Sequence, residues 1–136
     1  MKYDYLVIGS GIAGMSFALK VAHKGKVAIL CKTNMDEANT HYAQGGIASV
    51  TKPTDKFDDH VVDTLIAGDG ICEEAVVRKV MEGAPEQIKQ LLAWGVDFDK
   101  NESGDFDLHK EGGHSDFRIL HHKDNTGEEI QNSLIF

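Results

Sequence analysis

Three glycines near the start of the chain, Gly9-x-Gly11-x-x-Gly14, have the spacing of a turn that grips a dinucleotide pyrophosphate. Such a site needs backbone N–H groups, a helix N-terminus and no side chains in the way. Gly9 is read as the residue of the tight turn, Gly11 as the point where the backbone approaches the phosphates, and Gly14 as the gap that lets the helix pack on the strand. The intervening Ser10, Ile12 and Ala13 belong to the same turn. The triplet alone is a weak signal, but its surroundings are right: the apolar run Tyr5-Leu6-Val7-Ile8 precedes it and a helical pattern follows.

A second polar segment, Asn39-Thr40-His41-Tyr42-Ala43-Gln44-Gly45-Gly46-Ile47-Ala48, carries paired glycines. Without Cβ atoms, such a loop lies flat against a planar ring and offers backbone amides to its heteroatoms. The bland reading is a surface loop that happens to contain two glycines. A dinucleotide site often has an acid at the end of its second strand, for the ribose hydroxyls. Here Leu30-Cys31-Lys32 ends that strand, and a lysine stands in the acid's place. This lowers the odds for NAD and leaves a flavin dinucleotide or a phosphorylated nicotinamide cofactor.

These residues require a frame. Residues 3–32 read as β–α–β, with a helix over Met15–His23, a second strand over Lys26–Leu30 and a right-handed crossover. The near-continuous apolar runs predict parallel strands buried on both faces. Residues 33–59 show little periodicity and are expected as a long functional loop. Residues 58–67 read as a helix stopped by Gly68, with Val61 and Leu65 inward and Val62 and Ile66 beside them. Residues 73–83 form another, with Val76, Val77, Val80 and Met81 on one stripe. Pro85 is expected to start a separate helix that runs to Trp94 and stops at Gly95. Val96–Phe98 and Arg118–His121 suit short extended pieces, 99–117 a polar acidic loop, and a last helix is expected from about Glu128, capped by Asp124-x-Thr126-Gly127. Trp94 and Phe98 are expected in the core. Asp58, Asp59, Glu73 and Glu74 read as favourable charges at helix starts.

Composition limits the partners. The 136 residues are 41% apolar and 26% charged, as in an ordinary globular domain, and the formal net charge of −8 disfavours nucleic acid and anionic membranes. No run is long enough to span a bilayer and no signal-peptide core is present, so a cytoplasmic location is expected, with Cys31 and Cys72 reduced and buried. Four of the seven histidines, His109, His114, His121 and His122, fall beside Glu111 and Asp116. Their spacing fits no familiar ligand pattern, so no metal is expected and they are read as polar loop residues. Arg118 is left between that role and an ion pair with the acidic loop. The apolar ending, Ile130, Leu134, Ile135 and Phe136, has no polar exit, which leads to the expectation that the chain is the N-terminal piece of a longer protein.

Taken together, Gly9–Gly14, Lys32, Thr40-x-x-Ala43-Gln44-Gly45-Gly46-Ile47 and Asp63-Thr64-x-x-Ala67-Gly68 resemble the flavoprotein family of L-aspartate oxidase and the succinate dehydrogenase and fumarate reductase flavoprotein subunits. The segment Glu111-Gly112-Gly113-His114-Ser115, followed by Arg118-Ile119-Leu120-His121 and Asp124-x-Thr126-Gly127, is most similar to the L-aspartate oxidase branch. The resemblance implies an α/β, Rossmann-like FAD-binding domain, of which residues 1–136 are the N-terminal part; the rest of that domain, a capping domain and a C-terminal helical domain lie outside this chain. It implies FAD held by Gly9, Ser10, Gly11, Ile12, Ala13, Gly14, Lys32 and the Asn39–Gly46 loop (Asn39, Thr40, His41, Tyr42, Ala43, Gln44, Gly45, Gly46). Members that attach FAD covalently place a histidine where this chain has Asn39, so the flavin here is expected to be noncovalent. The resemblance also implies that Glu111 meets the ammonium group of L-aspartate. That substrate is oxidised to iminoaspartate by hydride transfer to the flavin, oxygen or fumarate accepts the electrons, and the imine feeds quinolinate synthase and NAD synthesis. No catalytic residue is expected within these 136 residues, so the piece alone is expected to be inactive. A soluble fumarate reductase or succinate oxidase and a non-catalytic nucleotide-binding module remain as alternatives.

Overall fold

The computed structural model describes residues 1–135; Phe136, the last of the apolar residues named above, lies outside the described residues. The chain is α/β. Strand β1 (Tyr5–Ile8), helix α1 (Ile12–Val21) and strand β2 (Val27–Leu30) form the expected β–α–β unit, with β1 and β2 parallel and Tyr5 opposite Val27. Helix α1 begins at Ile12, three residues before the expected start, because the Gly9–Gly11 turn feeds it directly.

The strands are covered on one face only. Val7 is buried, whereas Leu6 and Ile8 are 65% and 80% exposed, since α1 packs on one side of the pair and nothing among the described residues packs on the other. The expectation of burial on both faces is therefore corrected for these residues.

A second sheet is antiparallel, with strand order β3 (Ile47–Ala48), β5 (Ile119–Leu120), β4 (Leu108–His109). Strands of two residues are too short to show a period, so β3 was not visible in the 33–59 loop, nor β4 in 99–117. Val96 and Phe98 are buried and Asp97 is exposed, an extended alternation, but they form no strand. Their backbone is held instead by a side chain and a neighbouring loop: Asp97 N–H donates to Glu129 Oε1 (2.9 Å) and Asp99 N–H to the His121 carbonyl (2.8 Å).

Helices α2 (Phe57–Ala67) and α3 (Glu74–Ala93) pack on each other, and Asp58 pairs with Arg78 across them at 2.7 Å. Helix α3 runs straight through Pro85, so the expected break is absent. Val77, Met81, Ala84, Ile88 and Leu91 recur at intervals of three and four and form one inward stripe across the proline. Pro85 leaves the Met81 carbonyl without its helical donor, in a turn whose Glu82 and Gly83 are exposed. Val62, Ile66, Val76 and Val80, expected inward, are more than half exposed. Helix α4 (Thr126–Ile135) then returns to pack against α1. The core joins these elements through Met15, Leu91, Phe98, Leu108, Leu120 and Ile130. Trp94 lies partly buried at its edge, and Cys31 and Cys72 are free and half-buried rather than buried.

Candidate functional site

The first turn has the geometry its glycines predict. Gly9 has φ +102°, a conformation that side chains disfavour. A Cβ at Gly14 would strike the Gly9 carbonyl, so only glycine lets α1 approach β1 this closely. At Gly11 a Cβ would make only ordinary contact with Thr40 (3.5 Å), so packing within the chain does not explain this glycine. Of the N–H groups at the start of α1, that of Ile12 donates to Thr40 Oγ1 (3.0 Å); those of Ala13 and Gly14 have no partner within the helix and suit an anion.

Gly9, Ser10 and Gly11 line an open cleft of about 490 Å³ together with Cys31, Lys32, Ala38, Asn39, Thr40 and Tyr42. Glu37 also borders it, and its carboxylate accepts the Tyr42 hydroxyl at 2.9 Å. That hydrogen bond, with the carboxylate's charge, holds the Tyr42 phenol above its ordinary pKa. The sequence reading missed Glu37: it looked for an acid at the strand end, and this one comes from the loop.

The Asn39–Gly46 loop then turns into a second cleft of about 520 Å³. Gln44, Gly45 and Gly46 form one wall, and Glu111, His109, Ile119, His121, Lys123 and Asp124 complete it. One loop thus borders both clefts. Gly46 is fixed against β5, where a Cβ would strike the Leu120 carbonyl and the Ile119 side chain. Glu111 reaches the same cleft from a loop closed by the His114 N–H to its carbonyl (3.1 Å). Among the expected cofactor residues, Ile12, Ala13, Gly14, His41 and Ala43 line neither cleft. Gly14 and Ala43 act through packing and backbone: the Ala43 carbonyl accepts the Gly127 N–H at 2.9 Å.

Two supports escaped the sequence reading. Gln131 is fully buried, and its Nε2 donates to the carbonyls of Ser10 and Met35, both at 2.8 Å. Arg118 is also fully buried. Its Nε and Nη2 grip Asp55 (2.9 and 2.8 Å) and its Nη1 donates to Asp63 (2.6 Å). The ion-pair alternative for Arg118 is therefore the one realised, with the carboxylates coming from outside the acidic 99–117 loop. Burial would raise the Asp63 carboxyl, but hydrogen bonds from Ser115 N–H and Oγ and from Arg118 outweigh it and hold the pKa below the ordinary range. Those Ser115 bonds, both 2.7 Å, anchor the loop that carries Glu111. His60, buried beside this network, is held below its ordinary pKa, mainly by burial and then by the Arg118 charge. No polar periodicity marks either Gln131 or the Arg118 trio, since their partners are remote in the chain.

A loop with paired glycines that borders both a pyrophosphate-type turn and a second cleft suits a long, bent dinucleotide with a planar ring at one end. The chain belongs to the FAD binding domain family, whose pattern it matches over residues 4–135, and FAD is its cofactor. It is similar to the chloroplastic L-aspartate oxidase of Arabidopsis thaliana, with 47% identity over 133 residues that cover 98% of this chain and 20% of that protein. To the L-aspartate oxidase of Vibrio cholerae it is 53% identical over 136 residues, covering 96% of this chain and 25% of that one. Its fold superposes on the FrdA subunit of Escherichia coli quinol fumarate reductase with a TM-score of 0.91 at 29% identity, over 99% of this chain and 24% of that chain. The chain thus spans about a quarter or less of the length of these relatives. Among the described residues, no helix is long and apolar enough to cross a membrane.

Proposed function

We propose that this chain is the N-terminal part of the FAD-binding domain of an L-aspartate oxidase, which oxidises L-aspartate to iminoaspartate. The observation that carries the reading is the second cleft, where Gly45 and Gly46 face Glu111. Identities of 47% and 53% to L-aspartate oxidases, against 29% to the fumarate reductase subunit, favour this branch over its dicarboxylate-reducing relatives. The uncovered face of β1 and β2, with Leu6 and Ile8 exposed, suits further chain of the same domain packing there.

FAD supplies the two-electron acceptor for the substrate's Cα–H bond. The chain's own residues bind and orient. The Gly9–Gly14 turn, with the N–H groups at the head of α1, holds the pyrophosphate, and Lys32 and Asn39 border the same cleft. Gly45 and Gly46 leave room for the ring edge. Asn39 has no nucleophilic imidazole, so the flavin is held noncovalently. Glu111 accepts charge-assisted hydrogen bonds from the substrate's ammonium group. The same carboxylate repels succinate and fumarate, which lack that amine. Oxygen or fumarate would serve as the final electron acceptor, and the imine would pass to quinolinate synthase and NAD synthesis. The groups that bind the substrate carboxylates lie outside this chain, so these 136 residues alone turn over no aspartate.

Substitution Glu111→Gln in the full-length protein tests the reading. It should lower kcat/KM for L-aspartate by about 10- to 200-fold, for the loss of a charge-assisted bond of roughly 1.5–3 kcal/mol, while fumarate reduction is retained or improved. Unchanged aspartate oxidation would refute the role of Glu111. A wild-type protein that reduces fumarate but never oxidises aspartate would favour the soluble fumarate reductase reading.

A further inference from the structure

We propose that Ser115 is a positioning residue for substrate choice: its N–H and hydroxyl, held by Asp63 of α2, fix where Glu111 enters the second cleft and so set the preference for an amino dicarboxylate over a plain one. The inference rests on the reading of Glu111 as the partner of the substrate's ammonium group.

Residues 110–117 make one excursion between β4 and β5, closed at its base by the Arg118 N–H on the His109 carbonyl at 3.1 Å. Glu111 stands near the start of this excursion and lines the cleft. It is exposed, so the course of the backbone, rather than packing around the carboxylate, decides where the charge sits. That backbone is soft. Gly112 and Gly113 follow directly, a Cβ at either would meet nothing within 4 Å, and Gly113 has φ +99°. Two glycines in open space fix no conformation by themselves. The restraint comes from the residues after them.

Ser115 engages every polar group it has. Its N–H and its Oγ both donate to Asp63 Oδ2 at 2.7 Å. Its Oγ also accepts from Arg118 Nη2 at 3.2 Å, and its carbonyl accepts from Lys110 Nζ at 3.1 Å. Lys110 adjoins Glu111, so the last contact ties the two arms of the excursion together around the carboxylate. Asp63 does not drift with the loop, because Arg118 Nη1 grips the same oxygen at 2.6 Å. His60, one turn earlier on α2, meets the His114 ring edge-on, with centroids 5.9 Å apart and planes at 90°. Helix α2 thus holds both residues that follow the glycines. Ser115 itself lines neither the pyrophosphate-side cleft nor the second cleft, so it reaches the substrate only through Glu111. A displacement of about 1 Å at a positioning group is enough to cost a large part of its effect. A dicarboxylate without an amine makes no contact for Glu111 to lose.

The experiment compares Ser115→Ala and Ser115→Thr in full-length protein, each in the wild-type and the Glu111→Gln background. Ser115→Ala deletes the hydroxyl and leaves the Arg118–Asp63 pair in place. In the wild-type background it should lower kcat/KM for L-aspartate about five-fold or more, mostly through KM, and lower fumarate reduction by less. In the Glu111→Gln background it should change aspartate oxidation by less than about two-fold, because residues that act as one unit are not additive. Ser115→Thr keeps the hydroxyl at an exposed position and should recover most of the loss. Hydrogen exchange of the substrate-free protein gives a readout apart from turnover: amides of residues 110–115 should exchange faster in Ser115→Ala and at close to the wild-type rate in Ser115→Thr. If Glu111→Gln alone leaves aspartate oxidation unchanged, the Glu111 reading fails and this inference with it. If Glu111→Gln is costly but Ser115→Ala is silent, equally harmful in both backgrounds or without effect on exchange in the loop, only the role of Ser115 is overturned.

Discussion

Gln131 on α4 donates its side-chain Nε2 to the carbonyl of Ser10, 121 residues earlier, at 2.8 Å. The same nitrogen donates to the Met35 carbonyl, so one buried amide ties the last helix to the glycine turn and to the loop that follows β2. The turn's shape is thus held from behind by a residue that need not touch a ligand. Gln131→Leu keeps the volume and deletes both donors, leaving two carbonyls short of a partner. A loss of about 2–4 kcal/mol in unfolding free energy is expected, from one to two unsatisfied buried groups. FAD affinity should fall with it. Denaturant titration and flavin release by ultrafiltration measure the two effects.

Arg118 forms a buried ion pair, with Asp55 on one edge of its guanidinium and Asp63 on the other. Arg118→Ala strands two carboxylates, Asp55 almost wholly buried, and should destabilise the protein by about 3–5 kcal/mol. Arg118→Lys should recover only part of this, because an ammonium cannot form the two-pronged contact with Asp55. Chemical denaturation of the two variants ranks them. Equal stability of wild type and Arg118→Ala would contradict the structural role.

Much of this was legible in the sequence, because its cues are local. Gly9, Gly11 and Gly14 lie within six residues, and the positive φ of Gly9 and the close approach at Gly14 follow from the absence of a Cβ. What escaped was long-range. Gln131 reads as one more polar residue on a helix until Ser10 and Met35 are seen beside it. Arg118 gives no hint that its partners are Asp55 and Asp63. Pro85 misled because a local rule, proline as a helix start, was outweighed by a stripe from Val77 to Leu91 that packs as one face. The exposed Leu6 and Ile8 read as buried because periodicity cannot tell whether the covering layer is in the same chain.

Gly46 sits against the Leu120 carbonyl with no room for a methyl group. Gly46→Ala must therefore push the loop off β5, at a cost of roughly 1–3 kcal/mol. Gly46 lines the second cleft, so FAD retention should drop further than stability. Gly45→Ala, where a Cβ meets nothing within 4 Å among the described residues, separates the two causes. It should leave stability within about 1 kcal/mol of wild type and reduce only flavin binding. Fluorescence titration of apoprotein with FAD and thermal denaturation provide the comparison.

His60 is 2% exposed and held neutral, chiefly by burial and secondarily by the Arg118 charge. Its folded pKa is depressed below the ordinary 6.5, so the unfolded chain binds more protons as pH falls below that value. The stability linked to His60 is therefore fully present above pH 6.5 and is lost as pH falls through the lower folded value. His60→Leu should flatten this part of the stability profile below pH 6.5. Denaturant midpoints of both proteins, taken every half pH unit, check the sign. An identical slope in the variant would assign the effect to other groups.

The central claim is that the Gly9–Gly14 turn and the Gly45–Gly46 loop hold one noncovalent FAD. A crystal structure of the full-length flavoprotein measures this directly. The account predicts the pyrophosphate within hydrogen-bond distance of the Gly11–Gly14 backbone N–H groups, the flavin ring edge against Gly45 and Gly46, and no bond from the ring to any side chain. A flavin whose phosphates lie away from that turn, or whose ring sits outside the cleft shared with Glu111, would contradict it.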